Sequence, residues 1–222
     1  MNNQKPPDSA VTYKPLRSLP ADQLATFHGR NLSGKLKRLG GSYVQYFYET
    51  LLNMDDVIGW TASHQDSLVG LVVGSLDGHH LMGRVIRKNP LRWLYHTGVS
   101  ALLHPVHFLR VSVSVLTESE PSHSSSRVTV LHYLAVRAEE RHLGIGRGLM
   151  GQFAGELATR GQTQFELSVG RDNPQAIRFY EALGGKATED YVAAGDDMRR
   201  YTFDVQKVLG RQPSAEVKES RV

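Results

Sequence analysis

A glycine-rich turn is the part of this sequence whose residue types and spacing have the clearest chemical meaning. It reads Arg141-His-Leu-Gly144-Ile-Gly146-Arg147 and lies between a predicted strand and a predicted helix. Because Gly144 and Gly146 lack side chains, the backbone can approach an anion, and the first free N–H groups of the helix point toward it. Arg141 and Arg147 can add charge-assisted hydrogen bonds. The turn is therefore predicted to bind a phosphate or pyrophosphate.

Two common phosphate-binding patterns do not fit this turn. The dinucleotide pattern G-x-G-x-x-G fails because position 149 is Leu149, and the P-loop pattern fails because no G-K-[ST] follows. The pattern that remains is R-x-x-G-x-G.

This remaining pattern, after a strand that ends Leu134-Ala-Val136, resembles the coenzyme A pyrophosphate motif of the GNAT superfamily of N-acetyltransferases. A second stretch, which runs from Ser168 through Asn173-Pro and Tyr180 to Gly185, resembles the next strand and helix of that family. Together the two motifs span residues 127–185 in the family's order. A tight strand-to-helix turn alone would explain the glycines but not the second motif.

The resemblance implies acetyl transfer from acetyl-CoA to an amine in a ternary complex, without an acyl-enzyme. It places a backbone N–H donor for the thioester oxyanion in the strand before the turn. Asn173 could contact the cofactor, but its position also fits a helix cap, and that structural role alone would explain an asparagine there. The residues that we expect to contact acetyl-CoA are Leu134, Ala135, Val136, Arg141, His142, Leu143, Gly144, Ile145, Gly146, Arg147 and Asn173.

Tyr180 is the candidate acid that protonates the departing CoA thiolate. The resemblance makes it the family's tyrosine acid, and it shares a helical face with Ala176, Ile177 and Leu183 that should turn toward the sheet and the cofactor. The alternative is an ordinary packed aromatic residue.

The catalytic base is where the sequence departs from the family pattern. Many relatives carry a glutamate on the strand before the motif, and residues 127–136 contain none. His132 is the titratable residue with the parity of Leu134 and Val136, and its ordinary pKa near 6.5 suits a base. A core or surface histidine, a water chain, or an amine that arrives neutral are the alternatives.

The elements that must position these residues indicate an α/β fold. We predict a GNAT-like mixed, mostly antiparallel sheet flanked by helices, with a parallel crossover in its second half and a helical insertion between the third and fourth strands. The interpretation is one domain over 11–208, with disordered tails at 1–10 and 209–222. The predicted strands are 11–19, 57–63, 68–76, 127–136, 164–169, 186–191 and 198–208, and the main helices are 21–32, 42–53, 146–160 and one that starts at 173–174 and ends at 184–185.

The composition excludes several kinds of chemistry. The chain has 222 residues, a net charge of +4 and no cysteine, so it has no disulfide, no cysteine-ligated metal and no cysteine nucleophile. Residues 1–10 are polar and lack the apolar core of a signal peptide, so a cytoplasmic location is expected.

The basic excess lies in the predicted insertion, residues 78–117, which contains no Asp or Glu. Its five basic residues leave 21 basic and 22 acidic residues elsewhere. Helices are predicted at 81–88, 91–103 and 106–116. The uncharged run 93–109 is shorter than the roughly 20 residues that span a bilayer.

Three roles for the insertion remain open. It could form a lid over the acceptor pocket, dock to an anionic partner or a membrane surface, or form a homodimer interface. Five of the ten histidines lie in it, but their spacing matches no zinc pattern, so no metal is expected.

The predicted function is acetyl transfer from acetyl-CoA to a primary amine of a small molecule or peptide. The alternatives are transfer of a longer acyl group from CoA or a carrier protein, and a non-catalytic CoA-binding module. Nucleic-acid binding is not expected. Acceptor selection is assigned to the first helical region, the insertion and the loop 192–197, but the acceptor itself cannot be identified from the sequence.

Overall fold

A single mixed sheet organises the part of the chain that the computed structural model describes, which is residues 11–32, 35–78, 81–103, 128–193 and 195–211. Within these residues seven strands follow the order β1-β2-β3-β4-β5-β7-β6, and only β4 and β5 run parallel. The strands are β1 (Thr12–Pro15), β2 (Val57–His64), β3 (Ser67–Ser75), β4 (Val130–Val136), β5 (Gln164–Gly170), β6 (Lys186–Ala193) and β7 (Asp196–Asp204).

Helices cover both faces of the sheet because the strands alternate apolar residues between two hydrophobic clusters. One cluster packs α1, α3 and α4 against the sheet, and the other packs α6, α7 and α8. The described helices are α1 (Ala21–Asn31), α2 (Lys35–Arg38), α3 (Gly41–Leu51), α4 (Leu81–Lys88), α5 (Pro90–Leu103), α6 (Ile145–Thr159), α7 (Pro174–Ala182) and α8 (Val205–Gly210).

The predicted fold class is confirmed: the sheet is mixed and mostly antiparallel, with its parallel crossover between β4 and β5. Two element predictions are wrong. The strand predicted over 198–208 ends at Asp204, which caps α8 by accepting a hydrogen bond from the Lys207 amide at 3.0 Å. The strand predicted over 11–19 ends at Pro15, and a 3₁₀ turn over Leu16–Ser18 follows.

Two helices, α4 and α5, lie between β3 and β4, where an insertion was predicted. Leu81 and Val85 anchor α4 in the first cluster, and His96 of α5 hydrogen-bonds Ser42 at 2.7 Å. The third predicted helix, 106–116, lies outside the described residues. No helix in the described ranges is long and apolar enough to cross a bilayer.

Candidate active site

The sheet opens between its two parallel strands. The register between β4 and β5 contains one residue pair, Val130 with Glu166, and the Glu166 amide donates to the Thr129 carbonyl at 2.8 Å. Beyond this pair the described strands separate toward their carboxyl ends. The edge of β4 that faces β5 therefore offers backbone groups without a strand partner, and these include the 134–136 segment predicted to hold the thioester oxygen.

We call the gap between the diverging strands β4 and β5, beyond the pair Val130–Glu166, the fork. The glycine-rich turn closes its open end. His142 and Gly144 both have left-handed backbone conformations, with φ of 70° and 78°. Helix α6 begins at Ile145, and its first hydrogen bond joins the Gly148 amide to the Gly144 carbonyl at 2.9 Å. The preceding amides of the first turn therefore have no helical acceptor, as an anion site at a helix N-terminus requires.

The side chains of the turn divide into buried and exposed ones. Ile145 is buried in the core, so only its backbone can meet a phosphate, whereas Leu143 is 62% exposed. The Arg141 guanidinium donates to the Val136 carbonyl at 3.3 Å, and that of Arg147 donates to the Arg211 carbonyl at 3.1 Å. The pyrophosphate contacts of both arginines remain a prediction.

Three elements meet beside the turn. A Cβ added to Gly146 would lie 3.3 Å from the Phe179 ring of α7 and 3.7 Å from a Val136 methyl of β4. Leu134 and Val136 pack toward α6, and Ala135 faces the opposite cluster. The start of α6, the end of β4 and α7 therefore pack against one another at Gly146.

Tyr180 lies on the core-facing side of α7, as predicted, with Leu183 buried on the same face. Its ring meets Tyr201 and Phe203, with centroids 6.4 and 6.1 Å away. Burial raises the pKa of Tyr180 to about 12, so the hydroxyl keeps its proton at neutral pH. No described residue hydrogen-bonds this hydroxyl, and its role as the proton donor remains a prediction.

Asn173 caps α7, because its side chain accepts a hydrogen bond from the Ala176 amide at 3.0 Å. Pro174 follows at the first helical position, where its missing N–H is no loss. A cofactor contact of Asn173 stays a prediction beside this structural role.

His132 does not share a face with Leu134 and Val136, so the parity prediction is wrong. Val73 pairs with Tyr133 whereas Gly74 pairs with Leu131, which makes His132 an extra residue in a β-bulge. The alternation along β4 changes phase there. The His132 ring turns away from α6, and its Nε2 lies 2.9 Å from Ser75 Oγ.

Burial and the charge of Arg84 lower the pKa of His132 to about 4, while the smaller effect of the Asp56 carboxylate opposes the shift. The imidazole is therefore neutral at neutral pH. His132 therefore lies on the other face of β4 from the one predicted. It remains a candidate base, because a neutral imidazole can accept a proton.

A polar face on β5, β7 and β6 was missed at the sequence level. Glu166 and Ser168 point away from the buried side of β5, and the register places Arg200 directly opposite Ser168. Tyr191 donates to Ser168 Oγ at 2.7 Å, and Arg200 lies over the Tyr191 ring at 5.1 Å. The alternation of Glu166-Leu-Ser168 was the signal that could have revealed it.

This polar face borders the fork on the side opposite α6, because Glu166 is the last residue paired with β4. It offers carboxylate and hydroxyl groups that suit a polar acceptor. Within the described residues, no three His, Asp or Glu side chains are grouped so that they could hold a metal ion.

Solved structures confirm the fold. NAA60 of Arabidopsis thaliana in complex with acetyl-CoA is 16% identical, with a TM-score of 0.54 over 89% of this chain and 99% of that chain. The ribosomal-protein-S18-alanine N-acetyltransferase of Escherichia coli is 15% identical, with a TM-score of 0.54 over 88% and 94%. The spermidine/spermine N-acetyltransferase SpeG of Vibrio cholerae, in mutant forms, is 13% identical, with a TM-score of 0.54 over 90% and 97%.

No curated protein matches the chain in a sequence comparison. The model of the acetyltransferase (GNAT) family matches residues 30–185, which include α3, the fork, the glycine-rich turn and Tyr180. This match covers more than half of the sequence and agrees with the fold and with the geometry of the turn. The chain therefore belongs to the GNAT acetyltransferase family.

Proposed function

We propose that this protein transfers the acetyl group of acetyl-CoA to a primary amine by direct attack in a ternary complex. The observation that carries the proposal is the fork between β4 and β5, which ends at a helix N-terminus with free amides. The pyrophosphate binds the amides of the 141–147 turn, and the pantetheine arm lies along the open edge of β4. Family membership and the acetyl-CoA complex of the Arabidopsis relative support this assignment.

The residues of the fork divide the chemistry between them. A backbone N–H of the 134–136 segment stabilises the oxyanion that forms when the amine attacks the thioester carbonyl. Tyr180, whose raised pKa keeps the hydroxyl protonated at neutral pH, gives its proton to the sulfur as the C–S bond breaks. The polar face around Glu166 and Ser168 receives the acceptor, since it borders the fork and offers carboxylate and hydroxyl groups.

The pyrophosphate assignment is tested with a matched pair of variants, Gly144→Asp and Gly144→Asn. A Cβ at Gly144 meets nothing within 4 Å, and Asp and Asn tolerate the left-handed backbone about equally well. The two variants differ mainly in charge. Because a carboxylate there repels an anion, calorimetry should show CoA binding at least about tenfold weaker for Asp than for Asn.

Pantetheine, which has no pyrophosphate, is the control ligand and should bind both variants equally. Equal CoA affinity of the two variants would contradict the pyrophosphate assignment. If CoA binds but no member of a broad amine panel is acetylated, the protein is a CoA-binding module and the proposed transfer is wrong.

A further inference from the structure

Three polar groups form a hydrogen-bonded chain behind the bulge of β4. The Ser75 hydroxyl donates to the Asp77 carbonyl at 2.9 Å, and Ser75 Oγ lies 2.9 Å from His132 Nε2. Ser75 is completely buried. This series of hydrogen bonds therefore lies inside the protein, where unsatisfied polar groups are costly.

The hydrogens available to Ser75 and His132 determine the tautomer of the imidazole. A carbonyl oxygen can only accept, so the single hydroxyl hydrogen of Ser75 is directed to Asp77. Ser75 Oγ must then accept from His132, so Nε2 carries the ring proton. Because a neutral imidazole carries only one N–H, Nδ1 has a free lone pair.

We propose that Ser75 is a positioning residue that holds His132 in the Nε2–H tautomer, so that Nδ1 accepts the proton of the attacking amine. This inference rests on the proposed acetyl transfer. No described residue hydrogen-bonds Nδ1. The same contact sets the orientation of the ring, which would otherwise rotate about its Cβ–Cγ bond.

The charged groups around His132 favour its neutral form. Arg84 of α4 disfavours the imidazolium, and Arg84 also donates to the Asp77 carbonyl and forms an ion pair with Asp56 at 2.5 Å. Tyr133 is the neighbouring ring, with its centroid 6.4 Å away. The carbonyl that receives the Ser75 hydrogen thus also accepts from Arg84, whose charge adds to burial in keeping the imidazole uncharged.

The weak basicity of this ring determines when the proton moves. A neutral amine attacks the carbonyl carbon first, and its N–H becomes far more acidic once the C–N bond has formed. Nδ1 then takes that proton, the C–S bond breaks, and the sulfur receives the Tyr180 proton. The proton on His132 is returned through solvent to Tyr180, so that the net reaction gives an amide and CoASH.

The tautomer is measured by nitrogen NMR of the free protein labelled at histidine nitrogen, with His132→Gln to assign the signal. At pH 7 the wild-type signal should show a protonated Nε2 and an unprotonated Nδ1. Ser75→Ala should increase the Nδ1–H form, and Ser75→Thr, which keeps the hydroxyl, should restore the wild-type pattern. A wild-type His132 with its proton on Nδ1 overturns the inference.

Kinetics give a second readout once an accepted amine is known. Ser75→Ala should lower kcat about tenfold with an unchanged KM for acetyl-CoA, and Ser75→Thr should recover most of the rate. Ser18→Ala is the control, since the exposed Ser18 hydroxyl also donates to a backbone carbonyl, that of Pro15 at 2.7 Å.

The two proposals fail in distinguishable ways. Absent transfer contradicts the proposed function and, with it, the role of His132 Nδ1 as proton acceptor. The tautomer of His132 and its dependence on Ser75 are measured without substrate, so the nitrogen NMR experiment can contradict them independently of any transfer. If Ser75→Ala does not fold, as judged by circular dichroism, the nitrogen NMR spectrum of the wild type still shows which nitrogen of His132 carries the proton.

Discussion

At the residue scale, two buried side chains have pKa values shifted in opposite directions. Burial raises that of Tyr180 to about 12 and lowers that of His132 to about 4, so both are uncharged at neutral pH. One group holds a proton that it can give, and the other has a lone pair that can receive one. The shifts establish the protonation states of the two groups, and the acid and base roles belong to the proposed function.

Replacing Tyr180 by Phe should lower kcat by roughly 10²- to 10³-fold, because it removes the proton donor and keeps the ring. CoA affinity measured by calorimetry should stay near that of the wild type. Tyr201→Phe is the control, since it also removes a hydroxyl beside the Tyr180 ring, but one that donates to Glu181 at 3.0 Å and has no proposed catalytic role. An equal loss in both variants would contradict the acid role.

The site was predictable at the residue scale only where local sequence determines it. The turn, its left-handed Gly144 and the cap at Asn173 all follow from glycine, proline and asparagine in fixed order. The face of His132 was not predictable, since an extra residue in β4 is defined by its pairing with β3. Ser75 lies 57 positions from His132, so no local pattern connects them.

At the scale of elements, the bulge requires close packing between β3, β4 and α6. A Cβ at Gly74 would lie 2.6 Å from both the Val130 carbonyl oxygen and the Phe153 ring. The strands can approach this closely only because position 74 has no side chain.

Gly74→Ala should therefore lower the free energy of unfolding by about 1–3 kcal/mol, as overpacking does, when measured by urea denaturation. The matched control is Gly29→Ala, where a Cβ in α1 meets nothing within 4 Å. That change should raise stability by up to about 1 kcal/mol, because alanine favours a helix. Equal effects of the two substitutions would contradict the packing argument.

Helices and strands with a clear period were predicted within a few residues, and so was the parallel crossover between β4 and β5, but the residue-by-residue register between paired strands was not. The separation of β4 and β5 depends on which strands are neighbours, and the periodicity of neither strand reports it. The end of β7 did have a local signal, because Asp204 stands three residues before Lys207 and caps α8.

The charge of α4 and α5 is a second case of long-range pairing. Counting along the sequence makes this region purely basic, yet Arg84 pairs with Asp56 and Arg92 with Glu49, at 2.5 and 2.8 Å. Glu49 lies in α3, and Asp56 lies between α3 and β2. The lid, anionic-partner and dimer roles of the insertion all remain predictions.

At the scale of the whole molecule, buried histidines make stability depend on pH. Burial and the Lys37 charge lower the pKa of His28 to about 4, and its Nδ1 lies 3.0 Å from the Tyr48 hydroxyl. As the pH falls from about 6.5 to about 4, the unfolded chain takes up the proton before the folded one does. Stability that is fully present above pH 6.5 is therefore lost over this window, by about 3 kcal/mol for His28.

His28→Gln should flatten this loss in urea titrations between pH 7 and pH 4. Tyr48→Phe, which removes the hydrogen-bond partner but leaves the imidazole buried, should lower stability at every pH and keep the slope. An unchanged slope for His28→Gln would contradict the assignment.

The fork also divides the sheet into two parts that are joined at a single residue pair. The sheet consists of two plates, β1–β4 and β5–β7–β6, which share one backbone seam at Val130 and Glu166. Both plates rest on α6, whose first turn is the proposed pyrophosphate site. Because a single residue pair joins the two plates, we expect a molecule that binds in the fork to change the angle between them.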